Sequence, residues 1–484
     1  MVSDEWLMPT SPGMLKTEDI VLLFAHALFL QEKKHYNDAI TVYSKIIELK
    51  PDWDWPYTNR GSAYSELGQY DRAIADYTHA IKINPQHALA YTNRGLVYAE
   101  YKCDYDSAIS DCTHAIKINP QYALAYTHRG LAYAKGKRDY DSAIADNNRA
   151  IEIDPRRADA YINRGVTYFE GKHDCDHAIA DYNHAIEINP QYALAYKNRG
   201  SAYSKLGQYD RAIADYTHAI KINPQDAESY YNRGMVYFLS QSDYGRAISD
   251  LTRAIEINPQ YALAYKNRGN TYSKLGWHDQ AISDYTHTIE INSQDAEAYY
   301  NQGVMYALGK SDYDRAILNY THAIEVDSQF IEAYYNRGMA YFLGKSDYDQ
   351  AISDFTHAIE INPQFALAYK NRGSAYSKLG RYDRAIADYT HAIKINPQDA
   401  EVFYNRGTTY GEGKHDYDRA ISDYIRAIEI NPQFVKAYYN RAVTSYYMKN
   451  YNRAWEDVHK IGILGYQVDS EFLKLLREIS GRQK

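Results

Sequence analysis

AYKNRGSAYSKLGQYDRAIADYTHAIKINPQDAE runs from Ala195 to Glu228 and returns at Ala368 to Glu401 with one change, Gln208 against Arg381. Variants of it recur every 34 or 35 residues from about residue 17 to residue 468, nearly all carrying Asn-Arg-Gly, then Tyr, then Ala, then Asn-Pro. Self-similarity at this period means a stack of like supersecondary units, each burying its apolar face against its neighbours. In the quoted copy, apolar and small residues fall at Ala195, Tyr196, Gly200 and Tyr203, then at Tyr209, Ala212, Ile213, Tyr216, Ala219 and Ile220. Both runs have helical spacing. Leu206-Gly207 predicts the end of the first helix and Asn223-Pro224 the end of the second, because glycine accepts a left-handed cap and proline cannot continue a helix. Gly200, Ala212 and Ala219 let the helices approach, and tyrosines fill the gaps between them.

Outward from that stretch, units begin near residues 17, 54, 88, 123, 158, 193, 227, 262, 296, 331, 366, 400 and 435. Residues 1–16 read as a flexible N-terminal segment. Residues 469–484 read as an amphipathic capping helix and tail, with Phe472, Leu473, Leu475, Leu476 and Ile479 covering the open end of the array. Asn147 in a tyrosine slot, and Ser293 and Ser328 in place of the closing proline, mark units expected to be weaker. Seven units carry an extra residue between their helices, expected to alter a turn and not a helix face.

The pattern resembles the tetratricopeptide repeat family through its aromatic-x-x-x-Gly-x-x-Tyr first helix, its later Tyr-x-x-Ala and its closing proline. The resemblance covers residues 17–468. It implies an all-α fold, a right-handed α-solenoid superhelix of about thirteen antiparallel helix pairs whose first helices line a concave groove, and a non-enzymatic scaffold that binds another protein.

Composition limits the alternatives. Lys plus Arg total 54 against 62 for Asp plus Glu, a formal charge of −8 without long blocks of one sign, which is a poor match to a nucleic-acid partner needing a basic stripe. Cys103, Cys112 and Cys175 form no CxxC pair, favouring a reducing compartment, with the cytoplasm as the expected location. No apolar run reaches the roughly 18 residues of a membrane span; Ile20 to Leu30 reads as a core helix and not as a signal peptide.

Two columns of polar residues run through the array. Arg94, Arg199 and Arg372 exemplify an arginine in eleven units, each with an aspartate on the second helix (Asp111, Asp215 and Asp388 here). One central unit has Gln302 and Asn319 instead, so the charges leave together, as a structural ion pair requires. Just before the arginine stand Asn59, Asn93, Asn163, Asn198, Asn232, Asn267, Asn301, Asn336, Asn371, Asn405 and Asn440, broken by His128. Asparagine is a mediocre helix former, and its carboxamide carries two donors and an acceptor. Two explanations stand side by side: the row hydrogen-bonds the backbone of an extended guest peptide, or it joins neighbouring units. The family resemblance places this position on the groove side.

The same resemblance puts Lys197, Lys266 and Lys370, with Lys205, Lys274 and Lys378, on polar groove units. Tyr231, Tyr300, Tyr335 and Tyr404, with Met235, Phe238, Met339 and Phe342, fall on apolar ones. Each of the first three lysines is followed in the next unit by Glu228, Glu297 or Glu401, which offers an ion pair as the plainer account. A clamp for chaperone tails of the kind known in the family is not expected: Lys266, Asn270 and Asn301 fit its first three places, but Glu332 and Asn336 stand where basic residues belong. Histidines such as His79, His114, His184, His218, His287, His322, His357 and His391 recur once per unit. At roughly 10 Å between units they are too far apart to share a metal, so no metal or cofactor is expected. Paired aspartates such as Asp104 and Asp106 read as helix caps. Besides a peptide-binding scaffold, two other roles are open, a self-associating repeat protein and a targeting or adaptor subunit of an enzyme complex.

Overall fold

The computed structural model describes residues 17–240 and 243–481. Regular structure among them is helical throughout, with 27 α-helices, six short π-helical segments and no strand. The chain divides into two compact bodies, Met1–Ser242 and Asp243–Lys484, and within each body successive helices pack against one another. The expected flexible N-terminal segment, residues 1–16, lies outside the described residues, as do 482–484.

The quoted stretch forms helices Ala193–Lys205 and Tyr209–Ile222. Gly207 ends the first at φ 71°, the left-handed value that favours glycine. A Cβ on Gly200 would stand 3.0 Å from the Tyr216 ring, so the crossing depends on a glycine facing an aromatic. Ala195, Ala202 and Ala212 are fully buried around that contact and Tyr216 nearly so. The tyrosine slot is filled instead by Cys112, Asn147, Leu251 or Phe355 in other units, all fully buried. Asn147 donates to the Ala143 carbonyl of its own helix at 2.9 Å, and its Oδ1 has no partner, the kind of orphan that costs about 1–3 kcal/mol. Ser293 and Ser328 leave the helix ends where prolines put them elsewhere, at Ile291 and Val326. Asn292 Oδ1 accepts from the Gln294 N–H and Asp327 Oδ1 from that of Gln329, and these local turns stop the helix without proline.

The extra residue between helices behaves differently from expectation. It is taken up inside the first helix, whose last turn widens into a π segment at Tyr98–Lys102, Tyr133–Lys137, Thr167–Gly171, Met305–Gly309, Tyr341–Lys345 and Thr409–Gly413. The junction of the 227 unit falls partly on undescribed residues. Each widened turn is followed by a residue at positive φ, Cys103, Arg138, His173, Ser311, Ser346 or His415, and then by an aspartate that caps the second helix, as Asp104 does for the Ser107 N–H. The wide turn seats on the preceding unit. A Cβ on Gly344 would lie 2.2 Å from Tyr313 Cγ, and Lys345 pairs with Asp314 at 2.5 Å. Asp106, the second member of its aspartate pair, is therefore no cap but the partner of Lys137 at 2.6 Å.

At the far end, Ser470–Ser480 forms a helix capped by Asp469. It buries Phe472 and Leu476 against Ala442 and Ala454 of the last repeat. The run Ile20 to Leu30 lies in helix Thr17–Glu32, with Leu23 and Phe24 packed on Ala39 and Tyr43. None of the described helices is long and apolar enough to cross a membrane.

Candidate functional site

The arginine column is spent on joining the two helices of each unit and on reaching back to the unit before. Arg60–Asp76, Arg94–Asp111, Arg129–Asp146, Arg164–Asp181 and Arg199–Asp215 pair in one body. Arg268–Asp284, Arg337–Asp354, Arg372–Asp388, Arg406–Asp423 and Arg441–Asp457 pair in the other. In the 193 unit, Arg199 Nε and Nη2 donate to the two Asp215 oxygens at 2.8 and 2.7 Å, and Nη1 reaches back to Asn183 Oδ1 of the preceding unit at 2.6 Å. Elsewhere that third arm takes a threonine, as in Arg268 to Thr252 and Arg337 to Thr321, both 2.9 Å. Hydrogen bonds donated to Asp215 raise the Arg199 pKa above its ordinary value, against the lowering effect of burial. Gln302 keeps only the backward arm, donating to Thr286 at 2.7 Å. Asn319 turns to the Arg315 carbonyl of its own helix, which explains how both charges are lost together without a stranded partner.

The histidine column is also accounted for. Each ring lies against the first-helix tyrosine of its own unit, for example His218 on Tyr196 at 5.2 Å and His287 on Tyr265 at 5.1 Å between centroids. Among the described residues no cluster of three His, Cys, Asp or Glu side chains forms a metal site.

The asparagines sit half-buried on the first helices, and their carboxamides divide into kinds. Asn59 donates to the Trp55 carbonyl of its own helix at 3.1 Å. Others donate across to the preceding unit: Asn93 to Ser62 at 3.3 Å, Asn301 to Asn270 at 3.2 Å, Asn336 to Tyr300 at 2.8 Å, Asn371 to Tyr335 at 2.8 Å and Asn440 to Tyr404 at 3.2 Å. In every one of these bonds the Nδ2 group is the donor, which leaves Oδ1 as an acceptor. Asn163, Asn198 and Asn405 make no side-chain hydrogen bond among the described residues. Asn232 and Asn267 stand at the same place in their units, half-buried like the rest, with Tyr231 just before Asn232. His128, which interrupts the row, is buried with Nδ1 3.4 Å from the Thr92 carbonyl; burial pushes it down to about 4.

The lysines and tyrosines before the asparagines define two kinds of junction. Lys197 meets Glu228 at 2.6 Å and Asp226 at 3.6 Å; Lys266 meets Glu297 at 2.9 Å and Asp295 at 3.0 Å; Lys370 meets Glu401 at 2.8 Å and Asp399 at 3.5 Å. Burial acts to lower the Lys266 ammonium, but hydrogen bonds to Glu297 and Asp295 outweigh it and hold it above the ordinary lysine value. At the second kind, Tyr300 packs on Phe330, Tyr335 on Phe365 and Tyr404 on Phe434 at 4.9, 5.0 and 5.1 Å. Each tyrosine hydroxyl accepts from the next unit's asparagine. Burial raises the Tyr300 hydroxyl, Glu332 adds to the rise and the Asn336 bond opposes it.

Sequence reasoning missed Asp226, Asp295, Asp399, Phe330, Phe365 and Phe434. A signal for them existed: aspartate follows two residues before the glutamate wherever lysine precedes the asparagine, and phenylalanine takes the equivalent place after Tyr300, Tyr335 and Tyr404. The junctions leave open cavities, one of about 550 Å³ at Glu297, Tyr300, Asn301, Asp327, Phe330 and Glu332, and one of about 430 Å³ at Asp399, Glu401, Tyr404, Phe434 and Lys436.

Family models agree with this architecture. The tetratricopeptide repeat matches 88–122, 123–157, 158–192, 262–295, 331–365 and 400–434 in one model, 366–399 in another and 181–214 in a third. A fourth, described as TPR repeat, matches 61–100, 200–241, 238–276 and 310–344. Among solved structures, the chain is similar to YrrB, described as a TPR protein with an unusual peptide-binding site, at 27% identity over 39% of this chain and 95% of that one, TM-score 0.36. It is similar to MamA at 31% identity over 34% and 94%, TM-score 0.32, and to a chain of the Cut9–Hcn1 assembly of the APC/C at 18% identity over 89% and 96%, TM-score 0.41. No curated protein sequence matches. The chain belongs to the tetratricopeptide repeat family, a family of protein-interaction repeats.

Proposed function

We propose that the chain is a non-enzymatic scaffold whose first-helix face binds an extended segment of another protein. The observation that carries this reading is the asparagine row, half-buried on one helix position, with an unspent Oδ1 at each junction bond and the whole carboxamide unspent at Asn163, Asn198 and Asn405. An extended backbone presents N–H and C=O groups at regular intervals, and carboxamides satisfy both without reading side chains. The two explanations of the row therefore coexist: the amide hydrogens hold the stack and the oxygens face a guest. Lys197, Lys266 and Lys370 serve that face through their ion pairs, and Tyr231, Tyr300, Tyr335 and Tyr404 as its apolar floor.

The test separates binding from stacking. Replacing Asn163, Asn198 and Asn405 by Ala removes amides that hold no neighbour, so affinity for a displayed random dodecapeptide library falls while the melting temperature stays put. Unchanged library binding by this variant would defeat the reading.

Self-association is the second reading, favoured by one observation: Val21, Leu22 and Phe29 on the first repeat are 57%, 69% and 54% exposed. Light scattering across a concentration series decides it, since a monodisperse monomer excludes it. The cysteines are free, Cys103 exposed and the others buried, and we place the protein in a reducing compartment, the cytoplasm, on that account.

A further inference from the structure

In the second body, one stretch of the first-helix face is apolar and uncovered. Leu308 and Leu343 are 78% and 61% exposed at equivalent places of consecutive units. They follow Tyr300 and Val304, and Tyr335 and Met339, at helical spacing, so each leucine extends a stripe along its helix. Lys274 and Lys378 hold the same place in the units on either side, which bounds the patch to two repeats. Leucines at this exposure bury little surface within the array, and an apolar patch with a polar rim is the mark of an interaction surface.

The other end of the same two helices is acidic. The cavity at Tyr300 and Phe330 is rimmed by Glu297, Asp327 and Glu332. Glu297 is paired with Lys266, and Asp327 uses one oxygen on the Gln329 N–H. Among the described residues no lysine or arginine stands within ion-pair distance of Asp327 or Glu332. The corresponding junction at Tyr404 and Phe434 has the same aromatic floor but Lys436 in the place of Glu332, so the two rims differ in charge.

We propose that this face takes an extended basic and apolar segment of a partner protein, with a lysine or arginine over Tyr300 between Asp327 and Glu332, and leucine-like side chains against Leu308 and Leu343. The proposal rests on the peptide-binding reading above and adds the chemistry of the guest. A cation is matched by carboxylates and by the face of an aromatic ring; an acidic segment is repelled by the same rim.

The experiment uses the full chain and fluorescein-labelled octapeptides of arginine, leucine and serine, or of glutamate, leucine and serine, read by anisotropy at low and moderate salt. The arginine peptide binds and the glutamate peptide does not. Glu332→Lys, which copies the residue at 436 and so suits the fold, weakens the arginine peptide about tenfold. Leu308→Ser with Leu343→Ser weakens it at both salt concentrations. Equal binding of the two peptides, or unchanged affinity in Glu332→Lys, overturns the proposal. If the random library binds through the asparagines but the arginine peptide does not, the guest chemistry fails and the peptide-binding reading stands; if neither binds, both fail. A dimer that dissociates in the leucine variant assigns the face to a second copy of this chain and also overturns the proposal.

Discussion

Asp284→Asn removes one partner of a pair whose geometry is fully defined. Arg268 Nε and Nη2 lie 2.8 and 2.7 Å from the two Asp284 oxygens, with side-chain exposures of 15% and 5%. Each charge-assisted bond is worth about 1.5–3 kcal/mol. The arginine recovers part of that through its exposed edge and its bond to Thr252, so the single change costs about 3 kcal/mol. The double change Arg268→Gln with Asp284→Asn copies the natural Gln302 and Asn319, whose glutamine keeps its bond to the preceding threonine. It costs about 1 kcal/mol, less than the single change, because no buried charge is stranded. The four species of this cycle, followed by urea unfolding and by amide exchange over residues 262–291, give a coupling energy of at least about 2 kcal/mol. The local readout is needed because arrays of this kind unfold in segments. Additive single effects, or a single aspartate change costing under about 0.5 kcal/mol, would refute the view that the arginine column is structural.

Three further outcomes follow from particular contacts. His128 sits at about 4 in the folded chain against about 6.5 when unfolded, so the unfolded state takes up the proton first as pH falls and stability drops below pH 6.5. The loss between pH 8 and pH 5 is about 2 kcal/mol, and it disappears in His128→Asn, as urea midpoints at the two pH values will show. Gly344→Ala drives a methyl group into the Tyr313 ring and lowers stability by about 2 kcal/mol in the same assay, whereas Gly207→Ala, with open space around it, costs about 1 kcal/mol for its positive φ alone. Asn371→Ala loses the 2.8 Å bond to Tyr335 and lowers the unfolding free energy by about 1 kcal/mol, with no change in the helical spectrum at 25 °C.

The parts of this architecture that lie within one unit were legible in the sequence. The close approach at Gly200 and the stops at Gly207 and Asn223-Pro224 follow from small-residue placement and from the chemistry of glycine and proline, whereas the Tyr216 ring that faces Gly200 was read only as one of the tyrosines filling the gaps. The joint loss of charge at Gln302 and Asn319 exposed the arginine pairs without coordinates. What escaped lies between units or in helix geometry. The arginine's third arm to Asn183 or Thr252, and the phenylalanines under Tyr300, Tyr335 and Tyr404, depend on how one hairpin sits on the next, which periodicity does not report. The inserted residue was placed in a turn because an α-helix has no room for one. The π segments find that room by widening, at glycines such as Gly344 that seat on the preceding aromatic. The asparagine row was legible as a row, but its division between stacking and unspent amides was not: Asn93 bonds Ser62, while Asn405 makes no such bond although Ser374 stands at the equivalent place of its preceding unit, so side-chain geometry decides it and residue type does not.

The central claim is that the first-helix face holds the guest. Photo-crosslinking from a benzophenone side chain placed at Leu308, compared with one placed at His287 on a second helix, tests it most directly, using the library-selected peptide. The account predicts a peptide adduct from position 308 that is lost in the Asn163, Asn198 and Asn405 alanine variant only in proportion to its weakened affinity, and none from position 287. Adducts from position 287 with none from 308 would contradict it.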